Sequence, residues 1–228
     1  HNKWNNNIGI LSGDLLMILA NKLFSNLPLK IMRKVLKRFN EIAIKICEGQ
    51  HYDMNYENEK LITEKQYINM IRLKTATLIG FSLELGGILS KMKDLDIKNL
   101  YRFGEFMGIG FQLQDDYLDV FGDKKFGKKI GGDILLNKKT YLLIKLLEST
   151  NEKEKIIINN WINNSNTPNQ KIEAITRLMK DKNIDSITES VINDYFNKAF
   201  DYLKKIDIKN SKKNELIEFS KELINRKN

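Results

Sequence analysis

Apolar residues recur at three- and four-residue intervals along nearly the whole chain, and no stretch alternates apolar with polar over the length of a strand. That period belongs to amphipathic helices, so the expected fold is all-α, a bundle of antiparallel helices. The only two prolines, Pro28 and Pro168, both fall where a helix would begin. A first helix is expected over residues 8–24. A second opens at Pro28, with Ile31, Val35, Phe39, Ile42 and Ile46 as its buried stripe, and Gly49 and the polar run 53–58 are expected to break it. Residues 63–89 read as helix, with Gly80, Gly86 and Gly87 allowing bends or close contacts. Residues 94–98 read as a polar connector, 100–121 as a long apolar helix and 122–137 as the one glycine-rich loop. Helix is expected again over 138–147, 153–161, 168–180, 185–205 and 214–225. With no internal repeat, the 228 residues suit a single domain spanning 1–228.

Composition excludes several classes. Cys47 is the only cysteine, so neither an intrachain disulfide nor a cysteine zinc cluster can form, which fits a reducing cytoplasm. Beside Ile44 and Ile46 in an apolar helix, it is expected to be a buried thiol. The apolar run 8–20 is interrupted by Asp14 and is too short to span a bilayer, so no integral membrane segment is expected; it also lacks the features of a signal peptide. The formal net charge is +9, but the lysines are spread along the chain together with many Asn and Ile residues. That reads as compositional bias plus a local phosphate pocket, and no nucleic-acid partner is expected. Trp4 and Trp161 read as packing residues.

The run Phe111-Gln112-Leu113-Gln114-Asp115-Asp116-Tyr117-Leu118-Asp119 places three carboxylates in a helix-prone apolar segment. Asp115 and Asp119 share one helix face, one turn apart, and Asp116 points to its side. Three acids so close repel one another and are costly in a packed interior, so a cation should compensate them. Oxygen ligands on a rigid helix suit Mg²⁺ accompanied by a phosphate-bearing substrate. Lys124, Lys125, Lys128, Lys129, Lys138 and Lys139 follow closely in and after the glycine-rich loop. Acids and lysines together make a metal–diphosphate clamp, with most of the lysines simply solvated.

These residues, with Phe126-Gly127-Lys128, Gly131-Gly132-Asp133 and Asn137-Lys138-Lys139-Thr140-Tyr141 after them, closely resemble the second aspartate-rich region of the trans-prenyltransferases, the farnesyl, geranylgeranyl and longer-chain polyprenyl diphosphate synthases. Three further stretches match in order. His1 with Ile10-Leu11-Ser12-Gly13-Asp14 resembles the family's His and A-I-L-A-G-D helix. Gly49-Gln50 with Asp53 resembles its G-Q-x-x-D, and Lys74-Thr75-Ala76 its K-T-A segment.

The resemblance implies an isoprenoid-synthase-like helical bundle with a central active-site cavity. It implies condensation of isopentenyl diphosphate with an allylic diphosphate to give a longer all-trans isoprenyl diphosphate and pyrophosphate. Asp115 would ligate Mg²⁺, or Mn²⁺ in its place, with Asp116 and Asp119 ligating it or its waters. Lys74, Lys128 and Lys138 would bind the allylic diphosphate, with Lys129 and Lys139 as their rivals. Gln112 and Thr75 would line the site near the developing cation, and Gln50 and Asp53 would lie close by. It further implies a homodimer in the cytoplasm.

In that family a first D-D-x-x-D cluster stands just before the motif His, and this sequence opens at that residue. The natural protein is therefore expected to be longer, and these 228 residues alone to hold half a metal site and not to catalyse prenyl transfer. The alternative is a non-catalytic subunit or truncated paralogue that pairs with an active synthase.

Overall fold

A computed structural model describes residues 3–122, 130–163 and 167–225; His1, Lys124, Lys125, Lys128 and Lys129 lie outside the described residues. In chain order the helices are α1 (Asn6–Phe24), α2 (Leu29–Asn58), α3 (Glu64–Ile71), a π-turn (Arg72–Ala76), α4 (Thr77–Leu89), α5 (Asp94–Phe121), α6 (Gly132–Leu135), α7 (Tyr141–Ser149), α8 (Glu152–Asn163), α9 (Pro168–Asp181), α10 (Ile184–Lys204) and α11 (Asn210–Ile224). No strand occurs among the described residues.

α5 is the axis of the bundle, with α4 and α10 packed along it. Its Gly108 lets it press against the neighbouring helix, since a Cβ there would stand 2.6 Å from the Ala76 Cα. Around α5 one core gathers Tyr67, Met70, Phe103, Leu113, Ile144, Phe196 and Leu203. A second core, of Val120, Leu142, Leu146, Ile158, Ile175 and Met179, joins the end of α5 to α7, α8 and α9. A third, smaller one seats Phe24 and Val35 against Ile88 and Ile97.

The structure departs from the sequence reading in several places, among them the short helix α6 inside the expected loop 122–137. α2 is not broken at Gly49 but runs 30 residues to Asn58. Glycine is needed there because a Cβ would lie 2.4 Å from the Lys74 backbone nitrogen, so it marks a close crossing and not a helix end. Residues 94–98 are not a connector but the first turn of α5, where Asp94 and Asp96 sit favourably at the positive end of the helix. The Asp96 carboxylate also accepts the Asp207 N–H at 3.0 Å, fastening the link from α10 to α11.

Cys47 is exposed. It follows Ile46 by one residue, and 100° of rotation carries it off the stripe that Ile31, Val35, Ile42 and Ile46 bury. Trp4 is 67% exposed, and the Lys3 ammonium lies 5.1 Å from its ring centre.

α1 itself buries only Phe24, while Ile10, Leu11, Leu16 and Ile18 are each more than 60% exposed. As a helix it runs 19 residues, longer than the run 8–20, and by length and composition alone it could cross a membrane. A helix apolar on every side requires cover on more than one face.

Candidate functional site

The site begins with the capping box that starts α3. The Thr63 hydroxyl accepts the Gln66 N–H, and the Gln66 side chain accepts the Thr63 N–H in return. This fixes Tyr67 one turn in. Five residues on, the helix opens into the π-turn, where both the N–H and the hydroxyl of Thr77 donate to the Arg72 carbonyl, the latter at 2.8 Å. One extra residue in a turn re-aims side chains, and such bulges favour functional sites. Here Leu73 and Ala76 go into the core, while Lys74 and Thr75 face a cleft.

Lys74, Thr75, Gln112, Asp116 and Lys138 line that cleft together, joined by Asp53, Tyr56, Tyr67, Lys139 and Thr140. Four of them form one chain of hydrogen bonds. The Thr75 hydroxyl donates to Gln112 Oε1 at 3.1 Å, and Gln112 Nε2 donates to Asp116 Oδ1 at 3.0 Å. The Tyr67 hydroxyl donates to Asp116 Oδ2 at 2.6 Å. Two of the cleft lysines are held by acids from outside the triplet: Lys74 by Asp53 at 2.5 Å and Lys138 by Asp133 at 2.6 Å. Asp119 connects to the same segment, since its Oδ2 accepts the Asp133 N–H at 2.9 Å.

The triplet is thus divided by environment. Asp116 is buried with both oxygens engaged, whereas Asp115 and Asp119 are only half-buried. Burial pushes the Asp116 carboxyl up to about 7, against the opposing hydrogen bonds from Tyr67 and Gln112, and the charges of Asp133 and Asp115 push it the same way as burial does. Burial likewise holds Asp119 above the usual carboxylate range, although the Asp133 N–H pulls it down.

Among the described residues no three acids or histidines converge on one point. A cage made wholly of protein ligands therefore does not fit. A Mg²⁺ held by one or two carboxylates, with phosphate oxygens and water completing its shell, does fit. The Asp115 charge helps to raise the proton affinity of Asp116, an electrostatic condition that a cation would relieve.

Gln50 is exposed and lies outside the cleft lining, although Asp53, one turn further along α2, is within it. Lys138 and Lys139 both line the cleft, and they differ in partner: Lys139 donates to the Asn137 carbonyl at 3.2 Å. Tyr67, Tyr56 and Thr140 were not legible as site residues. The only signal for Tyr67 was its spacing of seven from Lys74, which the π-turn disguises.

The Polyprenyl synthetase family pattern matches residues 1–179. The chain belongs to the polyprenyl synthetase family. This polyprenyl synthetase chain is 34% identical over 215 residues to a geranylgeranyl diphosphate synthase of Saccharolobus solfataricus, covering 92% of this chain and 64% of that protein. It therefore spans less than two thirds of that relative's length. A crystal structure of a geranylgeranyl pyrophosphate synthase, 34% identical, superposes with a TM-score of 0.93 over 100% of this chain and 71% of that one. A geranylgeranyl pyrophosphate synthetase from Pyrococcus horikoshii, 29% identical, gives 0.92 over 99% and 69%. The all-helical isoprenyl diphosphate synthase fold is thus the fold of this polyprenyl synthetase.

The Asp116 environment sets a pH dependence. An unfolded carboxylate titrates near 4, and the folded value is raised, so its stabilising contribution is complete below about pH 4 and is lost as pH rises through about 7. In metal-free melts the wild type should lose stability relative to Asp116→Asn across that window. A constant difference between the two from pH 4 to 7.5 would contradict the assignment.

Proposed function

We propose that this chain carries the allylic-diphosphate half of a Mg²⁺-dependent prenyl-transfer centre, working as one unit. The reaction joins isopentenyl diphosphate to an allylic diphosphate and releases pyrophosphate. The observation that carries the reading is one cleft lined by Lys74 and Lys138, each parked on an acid, beside the neutral Thr75–Gln112 pair.

Lys74 and Lys138 exchange Asp53 and Asp133 for diphosphate oxygens, and their charge stabilises the leaving pyrophosphate as the allylic C–O bond ionises. Lys128, outside the described residues, is assigned to the same diphosphate by the family motif. Asp115 and Asp119 would hold Mg²⁺, which would supply further neutralisation of the diphosphate charge. Asp116 holds Gln112 in place. Gln112 in turn fixes the Thr75 hydroxyl, so that fixed dipoles and not a strong nucleophile face the allylic cation. The isopentenyl double bond attacks that cation, and the proton lost in the final step passes to the released pyrophosphate.

A second copy of the chain is the proposed cover for α1, whose exposed Leu11, Leu15, Ile18 and Leu19 make a surface suited to a homodimer. The exposed, unpaired Cys47 agrees with a cytoplasmic setting.

The test is product formation by the protein that carries this chain. Labelled isopentenyl diphosphate and an allylic diphosphate with Mg²⁺ should give an elongated allylic diphosphate and pyrophosphate. Failure to elongate at concentrations where both substrates bind would overturn the proposal.

A further inference from the structure

One lysine of this chain is buried, without an ion pair among the described residues. Lys171, in the first turn of α9, is 3% exposed. Burial holds its amine below the usual lysine range. A charge placed so is expensive, and a leucine or methionine would cost the helix nothing. Its one described partner is the side-chain oxygen of Asn137, at 2.6 Å.

Asn137 is itself unusual. It takes a left-handed backbone conformation, φ 54°, which asparagine tolerates better than most residues. Its amide is gripped at both ends: Oδ1 accepts from Lys171, and Nδ2 donates to the Ile162 carbonyl of α8 at 3.1 Å. The next residue is Lys138, whose backbone N–H returns to the Asp133 carbonyl at 3.0 Å and whose ammonium lines the cleft. The buried cation therefore fixes the turn from which a cleft lysine departs.

We propose that Lys171 is a positioning residue for Lys138: by clamping Asn137 in its left-handed turn, it holds the Lys138 ammonium where a diphosphate is bound. The inference rests on the proposed reading of the cleft as a diphosphate site.

Binding of inorganic pyrophosphate with Mg²⁺, measured by calorimetry, tests it on the wild type, Lys138→Met, Lys171→Met and the double variant. Lys138→Met should weaken binding about tenfold, the worth of one charged hydrogen bond. Lys171→Met should weaken it by a similar factor while melting no lower than the wild type, because it removes a buried charge that no described acid pairs. The double variant should bind no worse than Lys138→Met alone, since the second change then has nothing left to position. Asn137→Gly, which keeps the turn and loses the clamp, should reproduce the loss if Lys171→Met folds poorly.

Wild-type binding by both Lys171→Met and Asn137→Gly would overturn the inference, as would additive losses in the double variant. Wild-type binding by Lys138→Met would instead overturn the diphosphate reading, and the inference with it.

Discussion

Gly49→Ala should be among the most damaging single-methyl changes in the protein. The added Cβ would stand 2.4 Å from the Lys74 nitrogen and 2.8 Å from both the Leu73 carbonyl carbon and the Lys74 Cα. All three are backbone atoms, so no side chain can swing aside and α2 must move off the π-turn as a body. Overpacking of this kind costs about 3 kcal/mol or more. The damage should reach the site as well, because Asp53 stands one turn beyond Gly49 on the same helix and would be drawn away from Lys74. Urea unfolding of this variant should show a large fall in midpoint, together with weakened binding of pyrophosphate. Gly86→Ala is the control: nothing lies within 4 Å of its Cβ, so helix propensity alone should leave it equal to or more stable than the wild type. Equal midpoints for Gly49→Ala and the wild type would show that α2 does not brace the π-turn.

The second large effect is expected at the two accessible acids. Replacing Asp115 and Asp119 together by asparagine should lower Mg²⁺-dependent affinity for pyrophosphate by about a hundredfold or more, since a bridging metal supplies several kcal/mol. Asparagine at 119 keeps an oxygen to accept the Asp133 N–H, so the segment carrying Lys138 stays anchored. Burial already disfavours the Asp119 charge, and its removal should cost the fold little or nothing. Affinity without metal should change far less. An undiminished response to Mg²⁺ in the double variant would place the metal elsewhere.

Much of the helical plan is written in spacing. The stripe Ile31, Val35, Ile42 and Ile46 follows the 3.6-residue period closely enough to mark the inner face of α2. The acid run on α5 is legible for the opposite reason, because charge in an apolar helix breaks the pattern. The π-turn is not legible, since a single extra residue between α3 and α4 leaves two regular helical patterns on either side of it. Gly49 misleads because a glycine that ends a helix and one that admits a neighbouring backbone are the same letter. Lys171 is hidden by chemistry: lysine on an amphipathic helix reads as solvent-facing, and only the packing around Asn137 shows it buried. For α1 the composition records apolar surface but not what covers it.

In the proposed site one diphosphate, with its metal, lies between the lysines of the cleft and the acids of α5. A crystal structure with Mn²⁺ and an unreactive allylic diphosphate analogue tests that placement directly. The diphosphate should lie within hydrogen-bonding distance of Lys74 Nζ and Lys138 Nζ, with an anomalous manganese peak at Asp115 or Asp119. A diphosphate seated instead in the cavity beside Gln114, Tyr117 and Phe196, or a manganese peak away from α5, would contradict it.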